Sequence, residues 1–187
     1  PWEQTQVDLA QERLGGEVLA ASDDFFAPKE NIIKAGRGIF IEGKYTENGK
    51  WMDGWESRRR RDSGHDWCVL KLWAPGIIAG IDADTNHFKG NAPAEISLEA
   101  CCASVFATNE SLSQSQWTEI LPKTAVRPHS QNLLSVASKT PWTHVKLHIY
   151  PDGGVARLRV YGRPQIDRSR FLPGEPWDAA ALKNGGR

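Results

Sequence analysis

The segment Trp55-Glu-Ser-Arg-Arg-Arg-Arg61 sets one carboxylate, Glu56, beside four guanidinium groups, Arg58 and Arg59 among them. An arginine fork can hold a carboxylate or phosphate through two parallel N–H bonds. A carboxyl group with a tuned pKa can give or take a proton. Spacing alone favours a plainer reading, a solvated basic loop or a phosphate-binding patch, because charge runs usually face water. The run does adjoin Trp51, Gly54 and Trp55, and aromatic neighbours can desolvate a guanidinium or stack on it.

Two further pairs could move protons. His65-Asp66 stands just ahead of an apolar run that begins at Cys68. A loop histidine beside a carboxylate can be oriented for proton transfer, or the two can simply make a turn with a cap-like carboxylate. Asp84 and His87 lie three apart at the end of another apolar run and lead into Lys89-Gly-Asn91. They suit a catalytic pair or half of a metal site, but metal centres usually recruit more ligands. A divalent ion is therefore open but not indicated. His129, His144 and His148 carry less signal, and the last two are expected on a sheet surface. Arg157 and Arg159 share one face of a strand and read as structural, at a subunit or repeat contact. No Gly-x-Ser-x-Gly elbow, Walker loop or His-Glu-x-x-His helix is present, so no organic cofactor is expected.

The elements that must position these groups are strands. Cys68–Trp73 and Ile77–Asp84 flank a Pro75-Gly76 turn, with Ile77, Ala79, Ile81 and Ala83 on one face of the second run and Asp82 and Asp84 on the other. Ile96–Ala100 alternates in the same way. His144–Tyr150 puts Val145, Leu147 and Ile149 on one face, Pro151-Asp-Gly-Gly154 makes a turn, and Val155–Tyr161 returns, which predicts a β-hairpin. Helical periodicity is confined to Lys29–Lys34 and Asp178–Lys183. Short strands punctuated by 17 glycines and 11 prolines, with eight tryptophans to fill a core, predict an all-β sandwich with under about a fifth of its residues in helix. The candidate residues all fall just outside strand ends, where a rigid sandwich can hold functional loops. They are expected to converge on one rim.

Lys plus Arg and Asp plus Glu both number 23, so no long-range field gathers nucleic acid or an anionic membrane. No apolar run reaches bilayer length. Three cysteines, two of them adjacent, make no disulfide framework. Reduced, mostly buried thiols point to the cytoplasm, with a peroxisomal address left open. One internal echo stands out: Asp8-Leu-Ala10 precedes Gly15-Gly16 as Asp178-Ala-Ala180 precedes Gly185-Gly186. It divides the chain into a repeat over 1–177 and the start of a truncated second repeat, or a linker, over 178–187.

Several blocks resemble the allantoicase family: Ser22-Asp-Asp-Phe-Phe-Ala-Pro-Lys-Glu-Asn31, Lys50-Trp-Met-Asp-Gly-Trp-Glu-Ser-Arg-Arg-Arg-Arg61, Gly64-His-Asp-Trp67, Asp84-Thr-Asn-His-Phe-Lys-Gly-Asn91 and Thr143–Gly162. The resemblance runs from Asp8 to the C-terminus and implies a galactose-binding-like jelly roll, the first of two repeats. It implies hydrolysis of allantoate to ureidoglycolate and urea, a small-molecule substrate, a second repeat in cis and a homo-oligomer. With it, Glu56, His65, Asp66, Asp84 and His87 become catalytic candidates, and Arg58, Arg59, Lys89 and Asn91 substrate-binding ones. The alternative is a non-catalytic ligand- or sugar-binding sandwich, which fold alone does not separate from an enzyme.

Overall fold

The computed structural model describes residues 2–165. In chain order the strands are β1 (Val7–Asp8), β2 (Glu17–Ala21), β3 (Tyr45–Thr46), β4 (Gly49–Lys50), β5 (Trp55–Glu56), β6 (Asp66–Asp84), β7 (Glu95–Cys101), β8 (Thr118–Ala125), β9 (Leu133–Ser135), β10 (Pro141–Tyr150), β11 (Gly154–Val155) and β12 (Arg157–Pro164). The α-helices among these residues are two short pieces, α1 (Trp2–Thr5) and α2 (Asn109–Ser113). The expected helix after Pro28 is a 3-10 turn, Lys29–Ile33. The expected helix at Asp178–Lys183 and the boundary after residue 177 lie outside the described residues. The architecture is the all-β sandwich that the strand alternation predicts.

Its axis is β6, which stays paired through Pro75-Gly76 instead of breaking there. The first half lies between β10 and β2, with Leu70 opposite both Val145 and Val18. The second half lies between β12 and β9, with Ile81 opposite both Val160 and Leu134. A straight strand over 18 steps would separate Asp66 from Asp84 by about 60 Å. Yet the Asp66 amide donates to the Pro151 carbonyl and the Asp84 carbonyl accepts from Ala156, five residues on, a span of at most about 18 Å. The strand therefore folds back on itself near Pro75, and its two arms lie in the two layers. Leu70, Leu72, Ile78 and Ile81 from those arms meet Val145, Leu147, Ile149, Leu158 and Val160 in one core, each buried side chain contributing roughly 1.5–3 kcal/mol.

Two expectations are corrected here. The predicted hairpin does not form: β10 pairs with β6 and β7, β12 pairs with β6 and β1, and Gly154–Val155 pairs with β5. The alternation in each run is as predicted, but the Pro151–Gly154 connection carries the chain from one layer to the other. Gly153 sits there at φ 124°, and a side chain would meet the Asn91 carbonyl at 2.4 Å, so only glycine fits. The second correction concerns the face of Ile77. A bulge between Tyr161 and Gly162 skips Ala79, so Ile78 joins Ile81 and Ala83 in the core, as one extra residue inverts the alternation.

Candidate active site

The folding back of β6 brings its two ends, the close of β10, the start of β7 and the β5–β11 pair to one end of the sandwich. On β5, Trp55 is fully buried, so alternation turns Glu56 outward. It faces a recess of about 530 Å³ lined by Phe26, Glu56, Ser57, Arg59, Arg60, Asn91, Pro151, Asp152 and Gly153, among others. The Asn91 Nδ2 donates to Glu56 Oε1 at 2.6 Å. Burial pushes the Glu56 carboxyl above its ordinary value, and the Asn91 bond only partly offsets it. Arg59 is exposed and makes no ion pair among the described residues. Arg60 is committed: it donates to Asp62 and, at 2.7 Å, to buried Asp66. These carboxylates, Asp62 first, raise its pKa. Its backbone amide donates to Asp152.

A second recess, about 380 Å³, opens on the outward face of the β6 and β12 arms. Arg157 stands opposite Asp84 and Arg159 opposite Asp82 across the ladder. Asp84 is buried and takes Arg37 through two bonds, 2.7 and 3.0 Å. Arg157 is buried, with Asp53 at 2.8 Å and the carbonyls of Gly36, Asp53 and Ala156 as further partners. Burial, then the neighbouring Asp84 charge, raise Asp82; the opposing bond comes from Gln131.

The nine candidates thus do not line one cavity. Glu56, Arg59 and Asn91 share the first recess, and Asp84 lines the second. Arg58 turns aside to Asp23 at 2.9 Å and lies over the Phe25 ring. Lys89 is exposed and lines neither recess. His87 packs against Phe40 and His129 at ring distances of 5.7 and 5.4 Å, so it does not bond to Asp84. It also adopts φ 68°, the left-handed region that a residue with a side chain seldom takes. His65 and Asp66 part company as well. Asp66 is buried between Ser22 and Arg60, whereas His65 Nε2 meets His148 Nδ1 at 2.8 Å. Neighbours in sequence at a strand start point to opposite sides.

His148 was expected on a sheet surface, yet only 8% of it is exposed, and His144 is fully buried. Burial lowers the pKa of both imidazoles. Arg157 and Arg159 are structural, as expected, but their partners lie within the repeat. Nothing in the sequence singles out Arg60 or Asp152. Arg60 belonged to the charged run, and Asp152 sat in a segment legible only as a turn. Cys68 and Cys101 are buried while Cys102 is exposed. Burial raises the Cys68 thiol and pushes Cys101 up to about 11, which leaves neither as a nucleophile. No group of three or more ligating side chains is placed to hold a metal ion among the described residues.

The fold is a galactose-binding-like jelly-roll β-sandwich. CBM32-3 from a family 31 glycoside hydrolase of Clostridium perfringens has the same fold, with a TM-score of 0.56 at 15% identity over 86% of this chain and 96% of its own. The sequence model of the allantoicase repeat matches residues 7–165, and the chain belongs to the allantoicase family. It is 48% identical over 180 residues to probable allantoicase 1 of Burkholderia mallei, covering 96% of this chain and 52% of that one. A solved structure of allantoicase superposes with a TM-score of 0.80 at 33% identity, over 98% of this chain and 56% of that one. The chain thus spans about half the length of the curated relatives it matches.

Proposed function

We propose that this repeat supplies the Glu56 recess for hydrolysis of allantoate to ureidoglycolate and urea by a longer chain, with a second repeat in cis. The observation that carries this reading is Glu56. It is a half-buried carboxyl held above its ordinary pKa, steadied by an amide rather than a cation, in a recess that also presents an uncommitted arginine.

Allantoate carries a carboxylate and two ureido groups on one carbon. Arg59 is free to hold the carboxylate in a bidentate pair. Asn91 occupies Glu56 Oε1, which leaves Oε2 to carry the proton. As water oxygen bonds to the central carbon, the C–N bond breaks and its electron pair goes to the ureido nitrogen. That nitrogen takes the Glu56 proton and leaves as urea. The water surrenders one proton, and the carbon keeps a hydroxyl, the carboxylate and one ureido group, which is ureidoglycolate. Burial serves this step by keeping the acid protonated nearer to neutrality. The division at residue 177, assembly into a homo-oligomer and a cytoplasmic location belong to the same reading. Among the described residues no helix is long and apolar enough to cross a membrane. Incubating the full two-repeat chain with allantoate and measuring urea tests the reading. Urea release is expected, and its absence from the wild-type chain overturns the assignment.

A further inference from the structure

On the outer face of the sheet, three side chains from the loop before β6, from β10 and from β7 form a line. His65 Nε2 meets His148 Nδ1 at 2.8 Å, and His148 Nε2 meets Glu99 Oε2 at 2.8 Å. An ionised carboxylate only accepts, so His148 Nε2 must carry the proton of that bond. In neutral His148 the other nitrogen, Nδ1, is then bare and can only accept. His65 Nε2 must therefore donate, and His65 Nδ1 is left as a bare basic atom without a partner among the described residues. The chain of bonds starting at Glu99 sets the tautomer two residues away.

Two neighbours of His65 connect this line to the Glu56 recess. Tyr150, whose ring packs on His65 at 4.5 Å, leads directly into Pro151, which lines that recess. Gly64, the residue before His65, lies so close to Arg60 that an added Cβ would stand 2.7 Å from Nη2; Arg60 lines the same recess. We infer that His65 is the base that takes the proton given up by the attacking water, with His148 and Glu99 as positioning residues that hold its Nδ1 bare. This rests on the hydrolytic reading of the recess and adds to it a residue outside the recess lining.

The proton balance closes. The water proton adds to His65 Nδ1, the Nε2 proton can pass to His148 Nδ1, and the His148 Nε2 proton to Glu99, so one proton enters and one reaches the surface. The charged groups around His65 come from each neighbouring element: Arg60 from the preceding loop, Asp66 from β6, Lys146 from β10, Lys123 from β8 and, through His148, Glu99 from β7. Burial first, and then Lys146, Lys123 and Arg60, lower the His65 pKa, while Asp66 raises it. Burial thus favours the neutral form of both rings, the form in which a base can act.

The test uses the full-length chain with 15N-labelled histidine and two independent readouts. The ring nitrogen spectrum of the wild type should show His65 as the Nε2–H tautomer. Glu99→Gln should leave a tautomer mixture, and Glu99→Asp should restore the single form. In urea release, His65→Gln should lower kcat by about 10²–10⁴ with KM near wild type. Glu99→Gln should lower kcat less and move the acidic limb of its pH profile to lower pH, because the anion that favours the imidazolium is gone. An Nδ1–H tautomer in the wild type, an unmoved limb in Glu99→Gln, or near-wild-type kcat in His65→Gln would each overturn the inference. The spectrum needs no substrate, so it reports on the His65 line even if allantoate is not turned over. If Glu56→Gln abolishes urea release while His65→Gln does not, the recess stands and the role of His65 falls.

Discussion

Around Asp84 each arginine has found a carboxylate: Arg37 with Asp84, Arg157 with Asp53, Arg159 with Asp8. Around Glu56 the carboxyl has an amide for a partner and Arg59 makes no ion pair among the described residues. Residue types in the two recesses are nearly the same, three arginines and three aspartates in one, two arginines, a glutamate and an aspartate in the other. What differs is how much of their bonding capacity the fold has consumed. An ion pair with its hydrogen bonds filled is committed to holding two segments together, here the loop at residues 34–38 against the β6 and β12 arms. A carboxyl raised by burial and an unpaired guanidinium are available to a ligand. The exception in the first group is Asp82 Oδ1, buried with no partner among the described residues.

The contrast is broken most directly by exchanging outcomes between the recesses. In the full two-repeat chain Glu56→Gln should lower kcat for urea release by about 10²–10⁴, as for loss of a general acid, with no loss of stability in unfolding at the assay pH. Asp84→Asn should do the reverse, losing about 1.5–3 kcal/mol of stability with its charge-assisted bonds to Arg37 and keeping its kcat. Equal kinetic damage in both variants would end the distinction. Within the paired recess, Arg157→Met should lower stability in denaturant unfolding by about 3–5 kcal/mol, because it leaves the largely buried Asp53 carboxylate with only the Ile39 amide and takes the guanidinium from the Asp53 and Ala156 carbonyls.

The two neighbouring arginines sharpen the picture. Arg59→Ala should raise KM by the loss of a charge-assisted pair, on the order of 2–5 kcal/mol. Arg58→Ala removes a pair whose arginine side chain is 63% exposed and should change stability by at most about 1 kcal/mol, leaving KM near wild type. A larger KM effect at Arg58 would mean that the Asp23 contact opens for substrate. The smallest expected effect is in the pH dependence of stability. Burial raises the folded pKa of Glu56 above its ordinary value of 4.5, so the protonated form favours the folded state. That contribution is complete below pH 4.5 and fades as pH rises through the folded value. Relative to wild type, Glu56→Gln should therefore gain stability as pH is raised from 4.5, measured by denaturant titration at stepped pH. A difference independent of pH would show that Glu56 ionises as freely folded as unfolded.

Much of the fold was legible along the chain because the information was local. Alternation in His144–Tyr150 and Ile96–Ala100 marks the core faces that the structure shows, with Val145, Leu147, Ile149, Ile96 and Leu98 fully buried. The charged run after Trp55 and the polar groups at Asp84 and Asn91 also stood out by type and by their place at strand ends. Pairing was not legible. A run such as Val155–Tyr161 has the pattern of a strand whichever neighbour it joins, and the nearest neighbour in sequence is the ordinary guess. Here both β10 and β12 pair with β6, because β6 folds back at Pro75-Gly76 and offers an edge in each layer.

The same limit governs the site. Sequence by itself determined that this is a β-sandwich with acid, imidazole and guanidinium groups in the loops around its strands, since side-chain chemistry and period-two burial are properties of short segments. Only the tertiary structure decided which of those groups are spent on one another. Asp66 and His65 are adjacent in sequence, yet one is bound to Arg60 and the other to His148, 83 residues away. Asp84 is taken by Arg37, 47 residues away, and Glu56 is left with Asn91. A hydrogen bond depends on distance and direction within a few tenths of an ångström, and no spacing along the chain carries that information.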